Sequence, residues 1–144
     1  PIKQIKASGY KGAVIATESA MYYCLRNGLV PDLVVTVDPH SERLLRWFGN
    51  PKLDVKELEK DDYFRRQDMD ASFAAEIKVN DEVLELMRKH GKGMRLAVAT
   101  CSSPMVAERA RDIGMEMFWW NPMWDDPDAP NSKTVELFRS NGLP

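Results

Sequence analysis

The stretch AVIATESAMYYCLRNGLVPDLVVTV, residues 13–37, decides the fold. Ala13 to Thr17 are an apolar run of strand length, the pattern of a strand buried on both faces. The period then changes: Ala20, Met21, Cys24 and Leu25 fall on one helical face of Glu18 to Asn27. Gly28 supplies the left-handed residue that closes a helix. Pro31-Asp32 makes a turn, and residues 33–37 (LVVTV) form a second, β-branched strand stopped by Pro39. Strand, short helix and strand in so little chain make a βαβ unit, which requires parallel pairing and a right-handed crossover.

The alternation continues downstream. Ser41 to Phe48 read as a helix ended by Gly49-Asn50-Pro51. Asn80 is placed to cap a helix over Asp81 to His90, with Val83, Leu84 and Met87 on one face and Glu85 and Lys89 a turn apart on the wet side. His90, in the last turn, suits the negative end of the helix dipole. After the turn Gly91-Lys92-Gly93, residues 94–100 (MRLAVAT) are a third strand. Ser103-Pro104 opens the next helix, a capping hydroxyl followed by proline at the first helical position. Val106, Ala110 and Ile113 mark its buried face, and Gly114 ends it. Residues 115–120 (MEMFWW) are a fourth strand, followed by a polar, proline-rich loop and a last helix from about Ser132. Lys52 to Ala75 break the pattern with a charged run (ELEKDDYFRRQD) that reads as an insertion or lid near 52–75. Four strands alternating with helices predict a doubly wound, Rossmann-like parallel sheet in one α/β domain over residues 1–144. The opening at Pro1, without a methionine or a secretory pattern, and the close on NGLP suggest part of a larger domain.

Composition narrows the function classes. The chain has 144 residues, 44% hydrophobic and 29% charged, an ordinary globular balance. A net charge of −2 without a basic run argues against a nucleic-acid partner. No apolar stretch approaches the roughly 20 residues of a membrane span. Cys24 and Cys101 sit in apolar segments and read as reduced thiols, core or site, of a cytoplasmic protein.

In parallel sheets ligands bind beyond the carboxyl ends of the strands. Those ends carry Thr17, Glu18 and Ser19; Asp38, Pro39 and His40; Thr100, Cys101, Ser102 and Ser103; and Asn121, Trp124, Asp125, Asp126 and Asp128. The opposite ends carry only Gly12, Asp32 and Arg95. Helices beginning at the polar edge aim N–H groups at it and favour a phosphate, with Ser102 and Ser103 as added donors; Ser103 also reads as a plain N-cap. Neither the Walker pattern nor the dinucleotide glycine pattern occurs. Asp38 ends an apolar strand, where a carboxylate needs a ligand, a donor or water, or caps the next helix. His40 is a candidate base or phosphate partner, or a solvated loop residue. Asp126-Pro127-Asp128 lacks a third ligand of known position, so no metal is assigned. Trp119 and Trp120 alternate faces, so at least one belongs in the core; Trp124, on the loop, suits stacking on a base or sugar.

The run from Ala16 to Pro39, with Gly28, Pro31, Asp32, Asp38 and Pro39 in place, resembles the motility accessory factor family, which is similar to 6-hydroxymethylpterin pyrophosphokinase-like proteins. Gly114 to Pro144 (GMEMFWWNPMWDDPD, then a helix and NGLP) resembles it too. The likeness covers the core elements but not Lys52 to Ala75. The family's Gly-Pro-Ser strand end and Gly-Gly-Asn stretch fall outside residues 1–144, so the chain alone is expected to be inactive if those segments hold the nucleotide. The resemblance implies a sialyltransferase-like fold and transfer of a nucleotide-activated nonulosonic acid to serine or threonine of flagellin. Asp38 would then orient the donor and His40 would take the acceptor's proton. Glu18, Ser19, Ser102, Ser103, Asn121 and Trp124 would line the nucleotide-sugar site, with no cofactor. The pyrophosphokinase branch would need Mg2+ and ATP, and Val37-Asp38-Pro39-His40 offers one aspartate where a pair suits magnesium. A non-catalytic nucleotide- or partner-binding domain is the third class.

Overall fold

Thr17 ends the first strand and caps the helix behind it, its Oγ1 accepting from Ala20 N at 3.4 Å, so the strand-to-helix step is fixed within one residue. The structure, a computed structural model, describes residues 2–37, 47–58, 60 and 78–120. In chain order the elements are α1 (Ile2–Ala7), β1 (Ile15–Thr17), α2 (Glu18–Arg26), β2 (Leu33–Thr36), α3 (Val55–Leu58), α4 (Asn80–His90), a 3-10 turn (Gly91–Gly93), β3 (Arg95–Ala99), α5 (Pro104–Ile113) and β4 (Glu116–Trp120). The strands lie in the order β1-β2-β3-β4 and every pairing is parallel.

Parallel register puts paired residues on the same face. Ala16, Val34, Leu96 and Met117 form one row, and Thr36, Val98 and Trp119 the next on that face. A single core cluster joins Val34, Leu96 and Val98 to Met21, Tyr22 and Leu25 of α2, Val83 and Met87 of α4, and Val106 and Ala110 of α5. The three long helices therefore cover the same face. A doubly wound sheet needs helices on both faces and a reversal in strand order. Among the described residues the strand order does not reverse and the three long helices share one face, so what stands is a parallel α/β layer.

Both ends of the sheet depart from the sequence expectation. Among the described residues β1 is an edge strand, and with Ile15 65% exposed and Thr17 exposed it has one bare face and is not buried on both. At the β4 end of the sheet Phe118, on the open face, and Trp119, on the face the helices cover further in, are both exposed and Trp120 is half-buried, so neither tryptophan joins the fully buried core. Apolar character is a local property of the chain; the number of neighbouring strands and layers is not.

Among the described residues, helix ends follow the sequence expectation, with one exception. Gly114 (φ 84) closes α5 in the left-handed region, donating to Ala110 and Arg111 carbonyls. Asn80 does not cap α4: Val79 holds that position without a side-chain bond. Asn80 instead accepts from Asn50 N at 2.8 Å and donates to Asn50 O at 3.0 Å, a tertiary use no local pattern announces. On the wet side of α4, Glu85 meets Arg88 at 3.6 Å. Of the expected helix over Ser41 to Phe48, Trp47 and Phe48 are described, helical and buried. Arg109 of α5 clamps that end, donating to Gly49 O at 2.7 Å and Phe48 O at 3.2 Å. The α3 helix falls in the charged insertion near 52–75, most of which lies outside the described residues, as does the last helix. Nothing in the sequence pattern anticipates α1.

Candidate functional site

Because the sheet is parallel throughout, the carboxyl ends of β1, β2, β3 and β4 all lie at one edge. After β1, Glu18 is the first residue of α2 and its carboxylate suits the positive end of that helix. Ser19 Oγ lies 3.2 Å from Thr17 Oγ1, so these two hydroxyls serve each other and the cap. After β3 the chain turns tightly: Thr100 N donates to Trp120 O and Ser102 N to Ala99 O, both at 2.9 Å. Cys101 reaches across to β2, its Sγ 3.5 Å from Val37 O. This contact sets the β3–α5 turn against the end of β2.

Ser103 is the N-cap of α5, its Oγ accepting from Met105 N at 3.4 Å, with Pro104 next. Val106 N donates to Ser103 O at 3.0 Å. Most of the donors of the first turn of α5 are thus absent or engaged. Ser102 differs: the residue is 8% exposed, and its Oγ is enclosed with no hydrogen-bond partner. Thr36, the last residue of β2, is 0% exposed and its Oγ1 also lacks a partner. Sequence reasoning misses Thr36 because threonine in LVVTV looks like another β-branched strand former.

Of the residues expected to converge, Glu18, Ser19, Ser102 and Ser103 share the carboxyl edge. The first two follow β1 and the last two follow β3, with β2 between, about 10 Å apart at a strand spacing of ~4.8 Å. Asp38, His40, Asn121 and Trp124 lie outside the described residues. Burial raises the Cys24 thiol above its ordinary pKa, which keeps it neutral in the core, whereas Cys101 is exposed at the site edge.

The opposite edge holds a shallow cavity of about 300 Å³, lined in part by Asp32, Lys92, Arg95 and Glu116. Three of its charges serve the fold. Asp32 Oδ2 accepts from Val14 N at 2.7 Å, and Arg95 Nε meets Glu116 Oε2 at 3.0 Å across β3 and β4. Among the described residues there is no group of three or more His, Cys, Asp or Glu placed to hold a metal ion, and no helix long and apolar enough to cross a membrane.

The carboxyl edge thus sets the unpartnered Ser102 hydroxyl beside the start of α5, the positive end of that helix, where an oxyanion is favoured. No family model, curated protein or solved structure gives a match to this chain.

Proposed function

We propose that this chain is the donor-binding part of a cytoplasmic, glycosyltransferase-like enzyme. It would transfer a nucleotide-activated nonulosonic acid to serine or threonine of a protein such as flagellin. The observation that carries this reading is the placement of Ser102 and the start of α5 at the carboxyl edge of an all-parallel sheet. The resemblance of Ala16–Pro39 and Gly114–Pro144 to the motility accessory factor family supplies the substrate class. The same reading completes the layer into a doubly wound, Rossmann-like domain.

In the proposed reaction the acceptor hydroxyl attacks the anomeric carbon while the bond from that carbon to the phosphate oxygen breaks. His40 takes the acceptor's proton, for which an imidazole titrating near neutrality is suited. The electron pair of the broken bond leaves on cytidine monophosphate, whose charge the edge hydroxyls and helix dipoles stabilise. Asp38 accepts hydrogen bonds from donor hydroxyls, and Trp124 stacks on base or sugar.

A calorimetric titration of the full-length protein with cytidine and adenine nucleotides, with and without magnesium, tests the reading. Cytidine-phosphate binding indifferent to magnesium is expected. Magnesium-dependent ATP binding without cytidine affinity would replace it with the pyrophosphokinase, and no nucleotide affinity at all would leave a partner-binding domain.

A further inference from the structure

The hydroxyls at the carboxyl edge are not equivalent. Thr17 caps α2 and pairs with Ser19. Ser103 caps α5. Thr36 Oγ1 has no partner, but the residue is wholly enclosed between the sheet and its helices. Ser102 alone among these combines an unpartnered, enclosed Oγ with a residue that still touches the surface, at 8% exposure. It stands one residue before the cap of α5, a ten-residue helix whose first turn has few amides to offer. Pro104 has no N–H, and Met105 N and Val106 N are bound to Ser103. At α2 the corresponding end already carries the Glu18 carboxylate, which repels an anion.

We infer that Ser102, and not its neighbour Ser103, is the side chain that contacts the ligand's phosphate at this edge. The inference rests on the proposed phosphate-binding function and assigns the contact within it. An enclosed hydroxyl without a partner destabilises the fold, and nothing in the packing of Ser102 uses the oxygen; alanine would serve the fold at least as well. A ligand explains why the oxygen is there. The contact requires χ1 of Ser102 to turn to another staggered well that takes Oγ out of its enclosed position, while the backbone stays held by the Ser102 N to Ala99 O bond. The rotated hydroxyl donates to a phosphate oxygen at the positive end of α5, where a charge-assisted bond is stronger than a neutral one.

The test compares wild-type full-length protein with Ser102→Ala, Ser102→Thr and Ser103→Ala, titrated with cytidine 5′-monophosphate, cytidine and inorganic phosphate. Ser102→Ala is expected to weaken cytidine monophosphate and phosphate binding about tenfold, the worth of one hydrogen bond to a charged group. Its affinity for cytidine, which has no phosphate, stays at the wild-type value, and its melting temperature is equal or higher. Ser102→Thr keeps the hydroxyl and retains most of the affinity. Ser103→Ala, losing a cap, melts lower than Ser102→Ala. Wild-type binding of cytidine monophosphate with an unchanged constant in Ser102→Ala overturns this assignment alone. Absence of any phosphate or nucleotide binding in the wild type overturns the functional reading itself and this assignment with it. Equal losses for cytidine and its monophosphate in Ser102→Ala also overturn it, because that pattern marks a structural role.

Discussion

Replacing Thr36 with valine should make the protein more stable. Thr36 is 0% exposed, its Oγ1 has no partner, and in the sheet it lies opposite Val98 on the helix-covered face. Valine has nearly the same shape and an equal or better fit to a strand, so neither cavity nor overpacking follows. What changes is the removal of a hydroxyl stripped of water with nothing in return, a penalty of about 1–3 kcal/mol. Allowing for imperfect enclosure, a gain of about 1–2 kcal/mol is expected. For a chain of 144 residues that corresponds to a rise in Tm of about 3–6 °C. Urea unfolding followed by tryptophan fluorescence measures it, with the midpoint moving up and the slope unchanged. A variant less stable than wild type by about 0.5 kcal/mol or more would refute the reasoning, because the oxygen would then have a partner worth keeping.

Two further outcomes rest on polar contacts that hold the fold together. Arg109→Met keeps the apolar stem but leaves Phe48 O and Gly49 O without their charged donor; a loss of about 2–3 kcal/mol in urea unfolding is expected, and Arg109→Lys should restore only part of it. Tyr22 is held above its ordinary pKa by burial first, and then by its bond to Glu82 at 2.9 Å. The unfolded chain therefore releases this proton before the native one, so the contribution is intact at neutral pH and fades as pH climbs past the ordinary tyrosine value. Burial raises Cys24 in the same sense. Unfolding free energy measured from pH 7 to 11 should decline at the alkaline end, and Tyr22→Phe should flatten part of that decline; an identical slope in the variant would contradict it.

The elements that sequence made legible are those whose cause is local. A change of period at Thr17 and Glu18, a proline after Ser103 and a glycine at 114 each set a boundary within a residue or two of where it lies. The illegible features are those whose cause is distant. Ile15 has the apolarity of a core residue, yet it lies on an edge strand with its side chain on the bare face, and only the assembled sheet reveals this. Asn80 looks like a cap because caps are local, whereas its partner is Asn50. At the candidate site, position along the chain placed Glu18, Ser19, Ser102 and Ser103 beyond the carboxyl ends of β1 and β3, where the parallel sheet has them. It did not separate hydroxyls used as caps from those left unpartnered. Ser102 and Ser103 are alike in sequence, and only the bond from Met105 N tells them apart.

The sequential strand order has a bearing on how the chain reaches its folded form. Residues 18–32 join β1 to β2 and residues 100–115 join β3 to β4, but residues 37–94 separate β2 from β3. The long connection is roughly four times the others, which adds about 1 kcal/mol to the entropy of closing it. Pairing within β1–α2–β2 and within β3–α5–β4 is therefore expected to come first, with registering one half against the other along β2 and β3 as the later step. Lengthening the chain within residues 51–54 should slow that docking only weakly, because closure entropy grows as the logarithm of length. The same number of residues added between α5 and β4, in a connection already short, would fall on a unit the rest of the sheet waits for.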